Sequence, residues 1–123
     1  MQRSITRESL ETLVRSYYDH VDAGHLEALL ALFHDDIEYE RQGTPTIVGL
    51  PALRAFYESG RVIADGAHRL DQVLSGDDWV AVRGRFEGRL RDGEEVRLRF
   101  TDWHHVRDGK IIRRETLFPG RTV

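Results

Sequence analysis

Four segments in the second half of the chain alternate apolar and polar residues, as β-strands do. Three short turn signals separate them: Asp77-Asp78, Asp92-Gly93 and Asp108-Gly109. Asp-Gly is a strong hairpin signal because glycine accepts the positive φ that tight turns need. Strands joined by such short turns pair with their neighbours along the chain, so the sequence predicts an antiparallel meander. The four segments are HRLDQVLS (68–75), WVAVRGRFEGRL (79–90), EVRLRFTDWHHV (95–106) and KIIRRETLF (110–118).

The first half of the chain is predicted to be mainly helical. Apolar residues recur at helical spacing from Leu10 to Val21, which predicts a helix over residues 6–24. Thr6 is the expected N-cap, and Gly24 is the expected residue that ends the helix. The remaining predictions are helices over HLEALLALFHDD (25–36) and PALRAFYESGRVI (51–63), and a strand over IEYER (37–41).

Three helices, one early strand and a meander define an α+β fold. Helices of this kind pack on one face of a sheet, and a single sheet under three helices must curve strongly. The expected result is a cone that is open at one end and encloses a pocket for a small molecule. No repeat, low-complexity tract or linker interrupts the chain, so we expect a single domain over residues 1–123.

The composition restricts the class of function. Without cysteine, the chain forms neither disulfides nor thiolate metal sites. A net charge of −3 gives no electrostatic case for binding nucleic acid or an anionic membrane, and no apolar run approaches the ~20 residues of a membrane span. No two of the six histidines have a chelating spacing, so we expect no metal, and we expect no cofactor. The expectation is a cytoplasmic protein that binds a hydrophobic small molecule.

Asp102 stands in the middle of a predicted strand, where aspartate is disfavoured. Strand parity places it on the same face as Phe100 and His104, and this apolar face must point toward the helices. An ionised carboxylate without a partner would be costly there. Two interpretations remain open: a structural acid held by hydrogen bonds, or a functional acid whose pKa is raised by desolvation.

Two tyrosines are expected in the same interior. Tyr17 lies on the apolar stripe of the first helix, and Tyr57 lies on the inward face of the third. Because buried hydroxyl groups need partners, Tyr17 and Tyr57 are expected to converge with Asp102 and His104. Hydroxyl donors inside an apolar cone would stabilise a developing oxyanion.

Three stretches of the sequence resemble one family. In their order and spacing, AGHLEALLALFHDDIEYE, GLPALRAFY and TDWHHVRDGKI are similar to ketosteroid isomerases and SnoaL-like polyketide cyclases, a branch of the nuclear transport factor 2-like superfamily. The resemblance extends from about Leu10 to Phe118. It implies the curved sheet with three helices, and a homodimer packed through the outer faces of the two sheets.

The resemblance also implies roles for individual residues. Tyr17 and Asp102 match in position the oxyanion donors of ketosteroid isomerase, in which the acid stays neutral so that it can donate a hydrogen bond. Tyr57 matches the tyrosine that supports the first donor. In SnoaL-like cyclases, an aspartate at the Asp102 position is instead the acid–base residue itself. Asp102 as donor and Asp102 as base therefore remain alternatives.

The general base is where this sequence departs from the isomerases. They place an aspartate near the end of the first strand, where this chain has Arg41, which cannot lose its proton. Three residues are candidates for the base. His104 is the first choice because it points inward beside Asp102, His68 is the second, and Glu40 is the third if a bulge turns it inward.

The expected pocket is cationic as well as apolar. Arg41, by the isomerase register, and Arg114, by strand parity, point inward, which favours a substrate with a carboxylate, an enolate or an acidic phenol. The residues expected to bind substrate are Arg41, Tyr57, His68, Phe86, Phe100, Arg114 and Phe118.

These residues predict a cofactor-independent cyclase or isomerase. It would act by acid–base chemistry on a polyketide-like or enolisable hydrophobic intermediate of natural-product biosynthesis. An epoxide-opening hydrolase or cyclase is one alternative, and it requires two inward carboxylates. A non-catalytic binding module is the other, and it predicts a filled cone or a pocket without shifted pKa values.

Overall fold

The computed structural model describes residues 6–123. Its helices are α1 (Arg7–Ala23), α2 (Leu26–Leu30) and α3 (Leu50–Ala55), and α3 continues into a π-helical turn (Phe56–Gly60). Its strands are β1 (Phe33–Arg41), β2 (Ile47–Val48), β3 (Ile63–Ser75), β4 (Trp79–Leu90), β5 (Glu95–Arg107) and β6 (Lys110–Leu117). The α+β class and the cone of one curved sheet with three helices are confirmed. No helix of the described range is long and apolar enough to cross a membrane.

Helix α1 begins and ends where the sequence predicts. The hydroxyl group of Thr6 accepts a hydrogen bond from the amide of Ser9 at 3.0 Å, as an N-cap does. Gly24 adopts a φ of 73°, the left-handed conformation that ends a helix at low cost. The buried residues of α1 are Leu10, Val14, Tyr17 and Tyr18.

The second predicted helix is wrong in its C-terminal half. It was expected to reach residue 36, but α2 ends at Leu30 and β1 begins at Phe33. Phe33 pairs with Ile111 of β6, and the amide of Ile111 donates to the carbonyl oxygen of Leu32. Pairing with the edge of the sheet therefore outweighs the helical pattern of the apolar residues.

The third predicted helix is also shorter than expected. Regular α-helix ends at Ala55, and the chain is extended from Ile63 rather than from residue 68. Ile63 pairs with Leu90, so β3 follows β4 along almost its whole length. The π-helical turn between α3 and β3 carries Tyr57.

The six strands form one mixed sheet in the order β2-β1-β6-β5-β4-β3. Strands β3 to β6 form the predicted antiparallel meander, and β1 joins β6 in parallel. Two glycines allow β3 and β4 to approach closely. A Cβ atom at Gly84 would lie 2.2 Å from the carbonyl oxygen of Arg69, and one at Gly88 would lie 2.3 Å from that of Asp65.

The interior of the cone is apolar except for one cluster of side chains. The buried polar or charged residues are Arg41, Asp102, His104, Arg114 and Thr116. Buried groups of this kind must pair with one another, because an unpaired charge or dipole is costly away from water. This cluster is therefore where the candidate site lies.

Candidate functional site

Asp102 points into the cone, as strand parity predicts, and is 1 % exposed. Its carboxylate accepts hydrogen bonds from three side chains. The Tyr18 hydroxyl group donates to Oδ2 at 2.6 Å, and Nη2 of Arg114 donates to the same oxygen at 3.0 Å. The hydroxyl group of Thr116 donates to Oδ1. All three protons point toward the carboxylate, so Asp102 acts as an acceptor.

Asp102 is ionised, and the interpretation as a neutral donor is wrong. Burial alone would raise the pKa of this carboxyl group, but the Arg114 guanidinium and the hydrogen bonds from Thr116 and Tyr18 hold the pKa well below its usual range. Burial would lower the pKa of Arg114, and Asp102 keeps that pKa well above its usual value. The two residues form a fully buried salt bridge.

His104 is held in a second chain of hydrogen bonds. Its Nε2 lies 3.1 Å from the Tyr18 hydroxyl group. Because Tyr18 gives its proton to Asp102, His104 must be the donor, with its proton on Nε2. Nδ1 is buried and has no partner among residues 6–123.

His104 is a poor candidate for the general base. Burial lowers the pKa of the imidazole to about 3, so the ring is neutral. A small cavity lies inside the cone, and the His104 ring does not line it. A substrate in that cavity would not reach the ring. The expectation that His104 is the first-choice base is therefore corrected.

Tyr17 and Tyr57 meet inside the cone. Their hydroxyl oxygens lie 2.8 Å apart, and Nη1 of Arg114 donates to the Tyr57 oxygen at 3.1 Å. Burial raises the pKa of both tyrosines, so both keep their protons. The guanidinium of Arg114 also lies 4.2 Å from the centre of the Tyr17 ring.

The tyrosine that contacts Asp102 is Tyr18 and not Tyr17. Tyr18 was not among the residues predicted from the sequence, although a signal was present. Tyr18 lies four residues after Val14, which is one helical turn along the buried stripe of α1. The stripe is wide enough to bury two adjacent tyrosines.

Arg41 points into the cone and is 7 % exposed. Its Nη1 donates to the Tyr39 hydroxyl group at 2.8 Å, and that hydroxyl lies 2.8 Å from the Thr116 hydroxyl. Since Thr116 gives its proton to Asp102, the hydrogen bonds run from Arg41 through Tyr39 and Thr116 to the carboxylate. Nε and Nη2 of Arg41 both donate to the backbone oxygen of Val123, at 3.1 and 2.7 Å.

Glu40 lies on the opposite face of β1. Its carboxylate pairs with Nη2 of Arg113 at 3.0 Å on the outer side of the sheet. No bulge turns it inward, so the prediction of Glu40 as a base is wrong.

His68 lies on the inner face of β3 and is paired with Asp22 of α1. Its Nδ1 lies 2.6 Å from Oδ1 of Asp22, and its backbone amide donates to Oδ2 at 2.8 Å. Within the described chain, Nε2 of His68 has no hydrogen-bond partner. His68 was predicted from the sequence, but its partner Asp22 was not. Asp22 lies four residues after Tyr18 on the same side of α1.

The cavity at this cluster, called here the closed cavity, has a volume of only about 10 Å³, which is room for no more than one water molecule. The residues that line it are Tyr17, Arg41, Arg61, Ile63, His68, Phe86, Phe100, Asp102, Arg114, Thr116 and Phe118. The predicted substrate-binding residues other than Tyr57 thus meet at one place. Tyr57 instead lines a neighbouring cavity of about 150 Å³.

A larger cavity of about 550 Å³ lies at the surface beside the closed one. It is bounded by the loop after β1, by the end of the π-helical turn, by the β4–β5 turn and by the last residues of the chain, including Val123. Arg61 lines this cavity, the closed one and the cavity beside Tyr57. Its Nε is buried and has no partner within the described part of the chain.

The SnoaL-like domain model matches residues 14–114, which is most of the chain. The chain belongs to the SnoaL-like family. No curated protein sequence matches it.

Solved structures share the fold of this SnoaL-like chain. A proposed ketosteroid isomerase from Kribbella flavida is 24 % identical, with a TM-score of 0.78 over 95 % of this chain and 82 % of that one. A proposed SnoaL-like polyketide cyclase from Jannaschia is 14 % identical, with a TM-score of 0.81 over 97 % and 91 %. An M. tuberculosis epoxide hydrolase of the LEH-like type is 14 % identical, with a TM-score of 0.80 over 91 % and 84 %. At these identities, the likeness shows the nuclear transport factor 2-like cone.

Metal-ligating side chains are scattered in this SnoaL-like protein. Between residues 6 and 123, no three histidine or carboxylate side chains lie close enough together to hold a metal ion. The arrangement offers acid–base and hydrogen-bonding groups. These are a buried ion pair, a pair of neutral tyrosines and one histidine oriented by a carboxylate.

The shifted pKa of His104 makes stability depend on pH. The unfolded chain takes up a proton on this residue near pH 6.5, whereas the folded protein does so only near pH 3. The unfolded state therefore holds more protons between these values, and stability falls as the pH falls, by up to ~1.4 kcal/mol per pH unit. We expect the free energy of unfolding in urea to depend less on pH in His104→Gln than in wild type between pH 6.5 and 4. His105→Gln, on the outer face, is the control, and equal slopes in wild type and His104→Gln would contradict the assignment.

Proposed function

We propose that this SnoaL-like protein is a cofactor-independent isomerase or cyclase that acts by acid–base chemistry. Its substrate would be a polyketide-like or enolisable hydrophobic intermediate of natural-product biosynthesis, and its location would be the cytoplasm. The observation that carries the proposal is the His68–Asp22 pair on the same cavity wall as Tyr17 and Arg114. A base and an oxyanion site therefore adjoin one small space.

His68 takes the role of general base. Asp22 holds Nδ1 of the ring at 2.6 Å, which favours the tautomer with its proton on Nδ1 and leaves the lone pair of Nε2 available. Both carboxylate oxygens of Asp22 bind His68, one at the ring and one at the backbone amide, so the ring orientation is fixed. Asp102 is a weaker candidate because its lowered pKa makes it a poor proton acceptor.

Tyr17 and Arg114 take the role of oxyanion donors. When His68 removes a proton next to a carbonyl group, negative charge develops on the carbonyl oxygen. The Tyr17 hydroxyl group, supported by Tyr57, and the Arg114 guanidinium would stabilise that charge in surroundings of low polarity. Asp102 anchors Arg114 in place at 3.0 Å.

One observation favours a second candidate function. The closed cavity holds no more than one water molecule. A filled cone of this kind is expected of a non-catalytic binding module. An enzyme with this cone must open before substrate enters. The epoxide-opening alternative is disfavoured because Asp102 is the only carboxylate among the described residues that lines the closed cavity.

Deuterium exchange into an enolisable ketone tests the proposal. We expect the protein to accelerate uptake of deuterium at the α-carbons of 2-tetralone in D₂O, measured by NMR. Tyr17→Phe removes one oxyanion donor and should slow this exchange by on the order of 10²-fold, with the fold unchanged. Ser16→Ala is the control, because it removes a hydroxyl group from the neighbouring position of α1, where that hydroxyl bonds the carbonyl oxygen of Thr12 outside the cavity.

The outcome separates the two candidate functions. Exchange no faster than in buffer, together with saturable binding of 2-tetralone, would favour the binding module. Catalysed exchange that Tyr17→Phe leaves unchanged would remove Tyr17 from the mechanism.

We also propose that the protein is a homodimer packed through the outer face of its sheet. Trp103 is 38 % exposed there, and its ring centre lies 5.5 Å from that of Trp79. Leu117, on the neighbouring strand, is 44 % exposed. Light scattering at micromolar concentration should give the mass of a dimer, and Trp103→Ala should shift it toward the monomer. A monomeric wild type, or a Trp103→Ala protein that stays dimeric, would contradict this interface.

A further inference from the structure

The contact between Arg41 and Val123 separates the two cavities at the open end of the cone. Val123 lines the large surface cavity, and Arg41 lines the closed one. The guanidinium of Arg41 lies over the rings of Phe56 and Phe118, 5.4 and 4.9 Å from their centres. These rings hold its Nε–Nη2 edge toward Val123.

The backbone oxygen of Val123 occupies the edge of Arg41 that suits a carboxylate. Nε and Nη2 both donate to this one oxygen, at 3.1 and 2.7 Å. The same two N–H groups form the fork that binds the two oxygens of a carboxylate in parallel. Here a single oxygen serves both N–H groups, whereas a carboxylate gives each of them an oxygen of its own.

The segment Pro119–Val123, called here the tail segment, is joined to the fold through few hydrogen bonds. In the described chain, no backbone–backbone hydrogen bond joins it to the rest of the fold. Arg121 pairs with Glu94, and Val123 accepts from Arg41. Residues 119–122 are exposed, and the side chain of Val123 is half-buried against the core. A segment with so few backbone bonds opens at a low free-energy cost.

We propose that the tail segment closes the cone and that a carboxylate group of the substrate displaces Val123 from Arg41. The incoming carboxylate takes both N–H groups of the Arg41 edge, and the released tail joins the surface cavity to the closed one. The substrate is therefore an organic acid whose apolar body enters the cone. This inference rests on the proposed function for the fate of the substrate, but the binding step does not depend on catalysis.

An engineered disulfide tests whether the tail segment must open. A Cβ atom at Gly43 would lie 3.3 Å from Cβ of Thr122, close to the separation that a disulfide requires. The chain has no cysteine of its own, so the double variant Gly43→Cys/Thr122→Cys forms only this disulfide. The probes are 2-naphthoate and its neutral analogue 2-naphthamide, and binding is measured by calorimetry.

We expect the reduced double variant to bind 2-naphthoate more tightly than 2-naphthamide. Oxidation should weaken 2-naphthoate binding by roughly tenfold or more, and reduction should restore it. The reduced form of the same variant is the control for any strain at Gly43, where φ is +84°. Equal binding in both redox states, equal binding of both probes, or no binding of 2-naphthoate would each overturn the proposal.

A second variant tests the tail segment in the opposite direction and needs no residue change at Gly43. Glu94→Gln removes the ion pair with Arg121, which should loosen the tail and tighten 2-naphthoate binding by roughly two- to fivefold. Glu95→Gln, which changes the adjacent residue without touching the tail segment, is the control. Unchanged or weaker binding in Glu94→Gln would contradict the tail as a cover.

These results are independent of the exchange assay with 2-tetralone. Redox-dependent binding of 2-naphthoate without catalysed exchange would support the tail segment and refute the enzyme. Catalysed exchange together with 2-naphthoate binding that does not depend on the redox state would support the enzyme and refute the tail segment as a cover.

Discussion

Replacing Arg114 by methionine is expected to lower the free energy of unfolding by about 3–5 kcal/mol, because the Asp102 carboxylate would stay buried without its counter-charge. Both side chains are almost fully enclosed, at 3 % and 1 % exposure, so water cannot take over the role of the guanidinium. Methionine fills a similar volume but supplies neither charge nor N–H donors. Urea unfolding of wild type and variant at pH 7 measures the difference.

Arg113→Met is the matched control for this experiment. Arg113 is the preceding residue of β6, faces outward, and pairs with Glu40 at 3.0 Å on the half-exposed side of the sheet. A surface pair of this kind contributes at most about 1 kcal/mol. Equal losses in the two variants would show that the Asp102–Arg114 pair does not stabilise the fold.

The double variant Arg114→Met/Asp102→Asn separates the effect of the unpaired charge from the effect of lost packing. With the carboxylate also removed, no unpaired carboxylate remains buried, so we expect the double variant to be more stable than Arg114→Met alone. A double variant that is no more stable than Arg114→Met would show that lost packing, rather than the unpaired charge, causes the destabilisation.

The inward position of Asp102 could be predicted from sequence, but its charge state could not. Strand parity follows from alternation, and it correctly places Asp102 and Arg114 on the inner face. The charge state depends on the distance between them, and that distance depends on the register of β5 and β6. A bulge between His105 and Val106 shifts this register, so that Asp102 pairs with Thr116 and His104 with Arg114. The Asp108-Gly109 turn signal fixes where the hairpin turns, but it does not reveal the bulge.

The helix partners of the site were predicted less completely. The spacing of apolar residues identified Tyr17, and its pairing with Tyr57 places both hydroxyl groups in the interior. Tyr18 and Asp22 were missed because the predicted buried face of α1 was narrower than the observed one. The two residues lie one turn apart on the flank of α1 that faces β3 and β5. There Tyr18 binds Asp102, and Asp22 binds His68. A polar residue on the flank of a buried stripe is ambiguous in sequence, since solvent and a second strand are equally compatible with it.

Replacing His68 by alanine is expected to slow deuterium exchange into 2-tetralone by roughly 10²- to 10⁴-fold, the range that a positioned general base contributes. His68 is the only histidine of the described chain that lines the closed cavity. Its Nδ1 is tied to Asp22, so Nε2 is the nitrogen available to take the proton. The loss should appear in kcat, measured by NMR at saturating ketone.

Chemical rescue distinguishes a base from a residue that only fills space. Imidazole added to His68→Ala should restore part of the exchange rate, because a free base can occupy the space left beside Phe86 and Phe100, whose ring centres lie 4.9 and 5.2 Å from that of His68. Asp22→Asn should lower kcat less than His68→Ala does, since it changes the orientation and tautomer of a base that is still present. His105→Gln, on the outer face of β5, should leave the rate unchanged. If His68→Ala exchanges deuterium as fast as wild type, or if imidazole rescues nothing while the fold is intact, then His68 is not the base.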